Sequence, residues 1–487
     1  MQNRHSGRGT LEGEIVIAVP VELKSFVKPI EALMEAAQQA RRSARGGGPV
    51  NYPAVEQEVA ELTAAIERVS HAEILAAHDV DAPRVAIRGK TFTRIDHAAG
   101  TYYTLSGPVT VERALYREDG LRNAPVVDAI SLRTGAIARG WLPLTAQAIA
   151  HAVQRGPSRG AVESAEQTGR LPYSRASFER VAHAMGDRYL EHQANIEDWT
   201  IQELDVRGEP HSMSVALDRV SIPMEEAAKR PVGRPRKGAA KRPVNRNYRM
   251  AYCGTVTLHD AEGNAIHTLR YGTMPAHDPH LLCQRMANDA FRLRERHPHL
   301  ALTLLADGAH EMWNLLEPHF PADVFGESRK LVDFWHTIEK LSPAANAIFG
   351  DEHGRFVLYQ WRHRLKSCSR AATEILDELE ASGCEYMLVD SKTPVHDAIT
   401  YLRNHAEQED RMNYAAARRK SLPIGSGNAE ATCKSLVALR MKRAGSRWKE
   451  STGERILQLR ALALSDRWNP AMELLHTASR TAVRPAA

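Results

Sequence analysis

Residues 299–313, HLALTLLADGAHEMW, are the stretch on which the fold turns. Leu300 to Ala306 is a nearly continuous apolar run that stops at Asp307 and Gly308. A run of this length suits a buried strand, and glycine lets the chain turn sharply after the acid. Just before it, residues 279–298, PHLLCQRMANDAFRLRERHP, carry apolar residues at helical spacing. Further back, residues 247–274, NYRMAYCGTVTLHDAEGNAIHTLRYGTM, read as a hairpin turning at Asp260–Asn264. Residues 211–224, HSMSVALDRVSIPM, alternate, with Met213, Val215 and Leu217 on one face and Asp218 on the other. Three sheet strands, a helix and a buried strand predict an α/β arrangement.

The whole chain has 487 residues, enough for two to four domains. With 43% hydrophobic and 25% charged residues it is a globular composition, not a fibrous or disordered one. No apolar run approaches the ~18 residues of a membrane span, so no membrane partner is expected. The start, MQNRHSGRGTLEGE, has no apolar signal core, which predicts a cytoplasmic protein. Five cysteines, at 253, 283, 368, 384 and 433, form no CxxC pair, which excludes a disulfide framework and a cysteine zinc ribbon.

Residues 1–80 read as helical, with amphipathic segments 22–42 and 52–75 around a Gly-rich break, SARGGGPVNYP. They fit an intrachain hairpin, or pairing across a dimer. Residues 81–204 hold a small β-ribbon over 84–118 and helices from about 125. Within those, residues 162–186 suggest a helix-turn-helix: a turn at Gly169, Ser174 as N-cap, and Arg175, Ser177 and Arg180 facing outward. Residues 205–336 are the first part of the α/β core, 337–422 a helical insertion or lid, and 423–487 basic helices.

Two basic zones stand out against a net charge of only +5. Residues 229–249, KRPVGRPRKGAAKRPVNRNYR, hold nine Lys/Arg and no acid. Such a run repels itself and reads as a loop or solvated linker. Gly233-Arg234-Pro235, flanked by Arg236 and Lys237, is similar to an AT-hook, an extended Arg-Pro segment that lies in a narrow minor groove. Residues 410–460 carry twelve Lys/Arg against Asp410, Glu430, Glu450 and Glu454, a net of +8. Arg440, Arg443 and Arg447, with Lys442 and Trp448 beside them, form a phosphate-contacting stripe if one helix persists that far.

Three acids have settings that invite chemistry. Asp218 sits in an alternating strand, where aspartate is depleted. Asp307 ends the buried strand, and Glu430 opens a helix after Pro423-Ile424-Gly425-Ser426-Gly427-Asn428. Each also has a plain structural reading, as a turn former or a complement to the helix dipole. Together they offer hard oxygen ligands to two Mg²⁺ or Mn²⁺ ions, which in phosphodiester chemistry activate the attacking oxygen and stabilise the leaving one.

Leu305-Ala306-Asp307-Gly308-Ala309, Leu331-Val332-Asp333-Phe334-Trp335-His336 and IGSGNAEATCKSLVALRMKRAGSRWKESTGERILQLRAL (424–462) resemble bacterial insertion-sequence DDE transposases of the ISKra type, within the Mutator-like set. The resemblance covers about residues 205–470. It implies an RNase H-like catalytic core with a helical insertion, preceded by a helical and β-ribbon DNA-binding region. It implies Asp218, Asp307 and Glu430 as the metal-binding triad, and maps an Asp-x-x-His signature onto Asp333 and His336. His336 then orients a phosphate or a metal-bound water, or is a structural histidine. Double-stranded DNA is the implied partner, at transposon ends and target, bound by a homodimer or higher oligomer in a nucleoid-associated bacterial protein. The ribbon departs from relatives in having no cysteines. The rival readings are a non-catalytic DNA-binding regulator or decayed transposase, and a nuclease that cuts without joining.

Overall fold

A computed structural model describes residues 19–227, 244–406 and 410–486. The chain forms two compact units rather than five consecutive segments: Met1–Thr145 with Glu163–Tyr173 and Ser479–Ala487, and Ala146–Val162 with Ser174–Ala478. No helix among the described residues is long and apolar enough to cross a membrane.

In the first unit, β1 (Arg84–Ile87), β2 (Lys90–Thr104), β3 (Gly107–Glu118) and β4 (Val127–Asp128) follow one another antiparallel. The alternation seen in sequence is realised in β3, where Val109 and Val111 are buried and Thr110 and Glu112 exposed. The helices Val27–Ala44 and Tyr52–Ala76 pack together as the expected intrachain hairpin. The ribbon is larger than expected. Val483–Pro485, from the C-terminal stretch read as helical, adds a strand beside β1 and closes that edge of a five-stranded sheet. Three residues carry too little periodicity to betray such a strand.

The second unit is built on β5 (Ser212–Ala227), β6 (Val244–His259), β7 (Ala265–Thr273), β8 (Ala301–Ala306) and β9 (Arg329–Val332), in the order β7-β6-β5-β8-β9. β5, β6 and β7 are antiparallel, and β8 and β9 run parallel to β5. The hairpin turns where expected, with Asp260 Oδ1 accepting from Asn264 N at 2.7 Å. β5 and β6 pair over their whole length, from Ser212↔His259 to Ala227↔Val244. The hook-like Arg234, Arg236 and Lys237 belong to the connection between these strands and lie outside the described residues.

Two expectations change here. Residues 337–422 are not a separate lid: Leu341, Trp361, Leu376 and Ile399 share one apolar core with Val215, Leu304 and Leu331. The helix Phe334–Ser367 folds back at Gly350, whose φ of +75° glycine tolerates. The second helix of the helix-turn-helix is also no short reading head. Ser174 does cap it, accepting from Ser177 N, but it runs 28 residues, Arg175–Gln202. Phe178, Val181, Met185 and Tyr189 bury one of its faces. Arg175 and Arg180 remain exposed and Ser177 is half-buried.

Candidate active site

The register of the parallel strands places the acids. The last β5–β8 pair is Ala216↔Leu305, and the last β8–β9 pair is Ala306↔Val332. Two residues past the first of these stand Asp218 and Asp307; one past the second stand Asp307 and Asp333. By that count Asp307 falls in register with Asp218 and with Asp333, just past the carboxyl ends of β8 and β9, the edge where open α/β sheets bind ligands.

Each is set by local structure. Asp307 Oδ1 accepts from Ala309 N at 2.9 Å, closing the turn that leaves the sheet. Gly308 has φ +92°, and a Cβ there would lie 2.9 Å from His405 Nε2 and 3.1 Å from the Tyr401 hydroxyl. Only glycine fits that close approach. Tyr401 donates to the Asp307 carbonyl at 3.1 Å. Burial first, then His310 and Arg411, pull the His405 imidazole down to about 4, so it is neutral near pH 7.

Asp218 Oδ1 accepts from Arg219 N at 2.6 Å, and the Cys433 thiol donates to Oδ2 at 3.3 Å. Arg219 in turn pairs with Glu311, which also accepts from the Tyr252 hydroxyl. The hydrogen bond to Cys253, then burial and the Asp218 charge, push the Cys433 thiol far above its ordinary range, so it stays protonated. Glu430 lies on the helix Gly427–Thr432, one turn before Cys433 and on nearly the same face. The helix thus brings Glu430 to the strand that carries Asp218. The Glu430 carboxylate itself is exposed and pairs with Lys434 at 2.6 Å.

The three side chains do not converge as expected. Among the described residues no group of three or more His, Cys, Asp and Glu is close enough to hold a metal ion. Each carboxylate is turned to a local donor instead. The donor chemistry still fits a hard divalent cation. The triad offers oxygen ligands only, and the nearby thiol is protonated. The Glu430–Lys434 pair is a surface contact that contributes little and exchanges readily.

Asp333 has a clear structural role. Only 2% exposed, its Oδ1 caps the helix Phe334–Ser367, accepting from Trp335 N at 2.6 Å and His336 N at 3.0 Å. Its Oδ2 accepts from Ser426 N and from Ser426 Oγ at 2.5 Å, which pins the loop leading to Glu430. His336 is half-exposed, with Nδ1 3.3 Å from Glu339. Its backbone, not its ring, is engaged by Asp333. Asp333→Asn keeps an acceptor for the helix cap but turns an amide NH₂ toward the Ser426 N–H. We expect a loss of about 1–3 kcal/mol in urea unfolding, with Asp333→Ala losing more. An unchanged midpoint in both would remove Asp333 from this role.

The arginine stripe is not a helix face. The helix continues from Thr432 through a π-helical stretch, Cys433–Ala438, but ends at Met441. Arg440 is only 8% exposed, stacked 4.8 Å from the Trp448 ring, with Nη2 3.2 Å from the Val153 carbonyl. Trp448 is buried too, donating to the Met441 carbonyl at 3.1 Å. Lys442, Arg443 and Arg447 are exposed beyond the helix end.

Sequence reading passed over a surface beside the Ser426 loop. Trp335 is 48% exposed, with the Arg362 guanidinium 5.0 Å and the Lys366 ammonium 5.8 Å from its ring. Burial, then Arg362 and Arg418, lower the Lys366 ammonium from its ordinary value. The four-residue spacing of Arg362 and Lys366 was the available signal; the return of their helix to Trp335 was not. No family model matches this chain, and no curated protein or solved structure matches it either.

Proposed function

We propose that this chain is a DDE-type DNA transposase with an RNase H-like core, cutting transposon ends and joining them to target DNA. The observation that carries the reading is that Asp218 and Asp307 each stand two residues past the last pair of the adjacent parallel strands β5 and β8, with the Glu430 helix joined to Asp218 one turn on through Cys433. The strand order β7-β6-β5-β8-β9, with three antiparallel strands before two parallel ones, supports it.

Asp218, Asp307 and Glu430 would hold two Mg²⁺ or Mn²⁺ ions, which supply charge stabilisation to the attacking and leaving oxygens of an in-line displacement. The chain's own residues prepare the site. Glycine at 308 and Asp333 fix the two loops that present Asp307 and Glu430. Lys434, Arg362, Lys366 and Arg418 supply positive charge for phosphates on either side of the acids. In the first step water adds to phosphorus and the 3′ oxygen leaves as a hydroxyl. In the second that hydroxyl adds to a target phosphorus and another 3′ oxygen leaves, so one ester bond replaces another and no energy source is needed.

A second reading, a DNA-binding protein without chemistry, draws on one observation: each triad carboxylate is engaged by a neighbouring donor. The test is the purified protein with labelled DNA carrying the sequences that flank its gene, with and without Mg²⁺. Nicking at a defined position and covalent transfer to target DNA are expected only with the cation. Binding without either product would replace the transposase reading with the second one.

A further inference from the structure

Arg440 and Arg460 are both buried, each 8% exposed, and among the described residues both bond to neutral groups. Arg440 reaches the Val153 carbonyl. Arg460 donates to the carbonyls of Ser435, at 2.9 Å, and Leu436, at 3.1 Å, inside the π-helical stretch, and to Gln154 O at 3.1 Å. Burial lowers both guanidiniums, Arg440 to about 10, and their charged neighbours, Arg443 with Arg155, are also cations. Buried charges are ordinarily paired, and among the described residues neither Arg440 nor Arg460 has a carboxylate within ion-pair distance.

Arg440 also faces an opening. A cavity of about 460 Å³ is lined by Arg440, Arg447, Lys449, Arg175, Ser158 and Glu225. Arg447, Lys449 and Arg175 are exposed at it. Its acids, Glu179 and Glu225, are outnumbered by Arg175, Arg440, Arg447 and Lys449, and Glu179 is already taken by Arg175, at 3.0 Å, and by the Ser158 hydroxyl, at 2.6 Å.

The cavity is tied in line with the acids. Glu225 N donates to the Trp448 carbonyl at 2.7 Å, and Trp448 N to the Pro223 carbonyl at 3.1 Å. The basic segment therefore docks on β5 five to seven residues beyond Asp218, roughly 17–23 Å along the strand. At 3.4 Å per nucleotide along a duplex axis, that offset is about five to seven steps.

We propose that this cavity is an anion pocket that takes one DNA phosphodiester about five to seven nucleotides from the phosphate at the carboxylates. Arg447 and Lys449 make the contact, and Arg440 is a buried strut that sets the local potential. The inference rests on the DNA-enzyme reading above. It assigns the duplex a direction, along β5 from Asp218 toward Ala227.

The test is the salt dependence of binding to a fluorescently labelled duplex, for the wild type, Arg447→Gln/Lys449→Gln and a control, Arg403→Gln. Arg403 is a surface arginine paired with Glu380, remote in sequence from the pocket. Loss of one phosphate contact lowers the log–log slope by about one unit. That drop is expected in the double variant and not in the control. Duplex binding with an unchanged slope in the double variant overturns the pocket and leaves the enzyme reading standing. Failure of the wild type to bind duplex at all overturns the enzyme reading itself. Calorimetry with inorganic phosphate completes the test: phosphate bound by a wild type that excludes duplex would overturn the phosphodiester assignment.

Discussion

Asp307→Asn is expected to lower Mg²⁺-dependent DNA cleavage by at least ~10³-fold while leaving the fold and duplex binding in place. Cation stabilisation of a phosphoryl displacement is worth several kcal/mol, and each 1.36 kcal/mol is about tenfold in rate. The asparagine separates chemistry from structure. Its amide oxygen can still accept from Ala309 N, so the turn after β8 survives, as does the Tyr401 contact to the backbone carbonyl. Only the negative charge is lost. Duplex affinity should hold or rise slightly, because an acid is removed from beside the phosphates. Asp218→Asn should lower cleavage alike, but its one amide oxygen can keep only the Arg219 N–H or the Cys433 thiol, so a loss of stability of about 1 kcal/mol or more is expected with it. Cleavage within tenfold of wild type in both variants would end the catalytic assignment of this row. A loss matched by the loss of cooperative unfolding would move Asp307 from catalysis to folding.

The parts of this site that were legible in sequence are the parts with a local pattern. Alternation exposed β5, an unbroken apolar run exposed β8, and the acids stood out where those patterns stopped or faltered. Glu430 was flagged by the Gly- and Ser-rich loop before its helix. What escaped reading are contacts between distant positions. Ser426 is held by Asp333, 93 residues earlier, and Tyr401 by the turn at Asp307, 94 residues earlier. Neither leaves a period in the chain. The stripe of arginines failed for a different reason. Spacing assumes an uninterrupted α-helix, but Arg460 draws the carbonyls of Ser435 and Leu436 within a π-helical stretch. Burial of Arg440 then depends on Val153 and Trp448, which spacing cannot see.

The scaffold behind the site makes the other large prediction. Asp289, on the helix Pro279–Arg296, and Arg467 are 2% and 4% exposed and pair at 2.7 Å. Asp289 also accepts from the Tyr271 hydroxyl of β7 at 2.5 Å, so one carboxylate ties sheet, helix and C-terminal segment together. Arg467 has no slack: its Nε and Nη2 are buried with no hydrogen-bond partner among the described residues. Asp289→Leu would leave that guanidinium without its ion-pair partner, with Glu197 acting on it only through space, which costs about 3–5 kcal/mol. Replacing both, Asp289→Leu with Arg467→Met, removes the stranded charge and restores apolar volume. Buried pairs exchanged for packed hydrophobics are often neutral. The double variant should therefore be more stable than the single one, and urea unfolding followed by circular dichroism would show it as a recovered midpoint. Tyr271 loses its acceptor in both, so recovery should stop short of wild type by about 1 kcal/mol or more. A double variant as unstable as the sum of its parts would mean the pair contributes by specific geometry rather than by mutual neutralisation. The helix Pro279–Arg296 would then owe its place against β7 to that one contact.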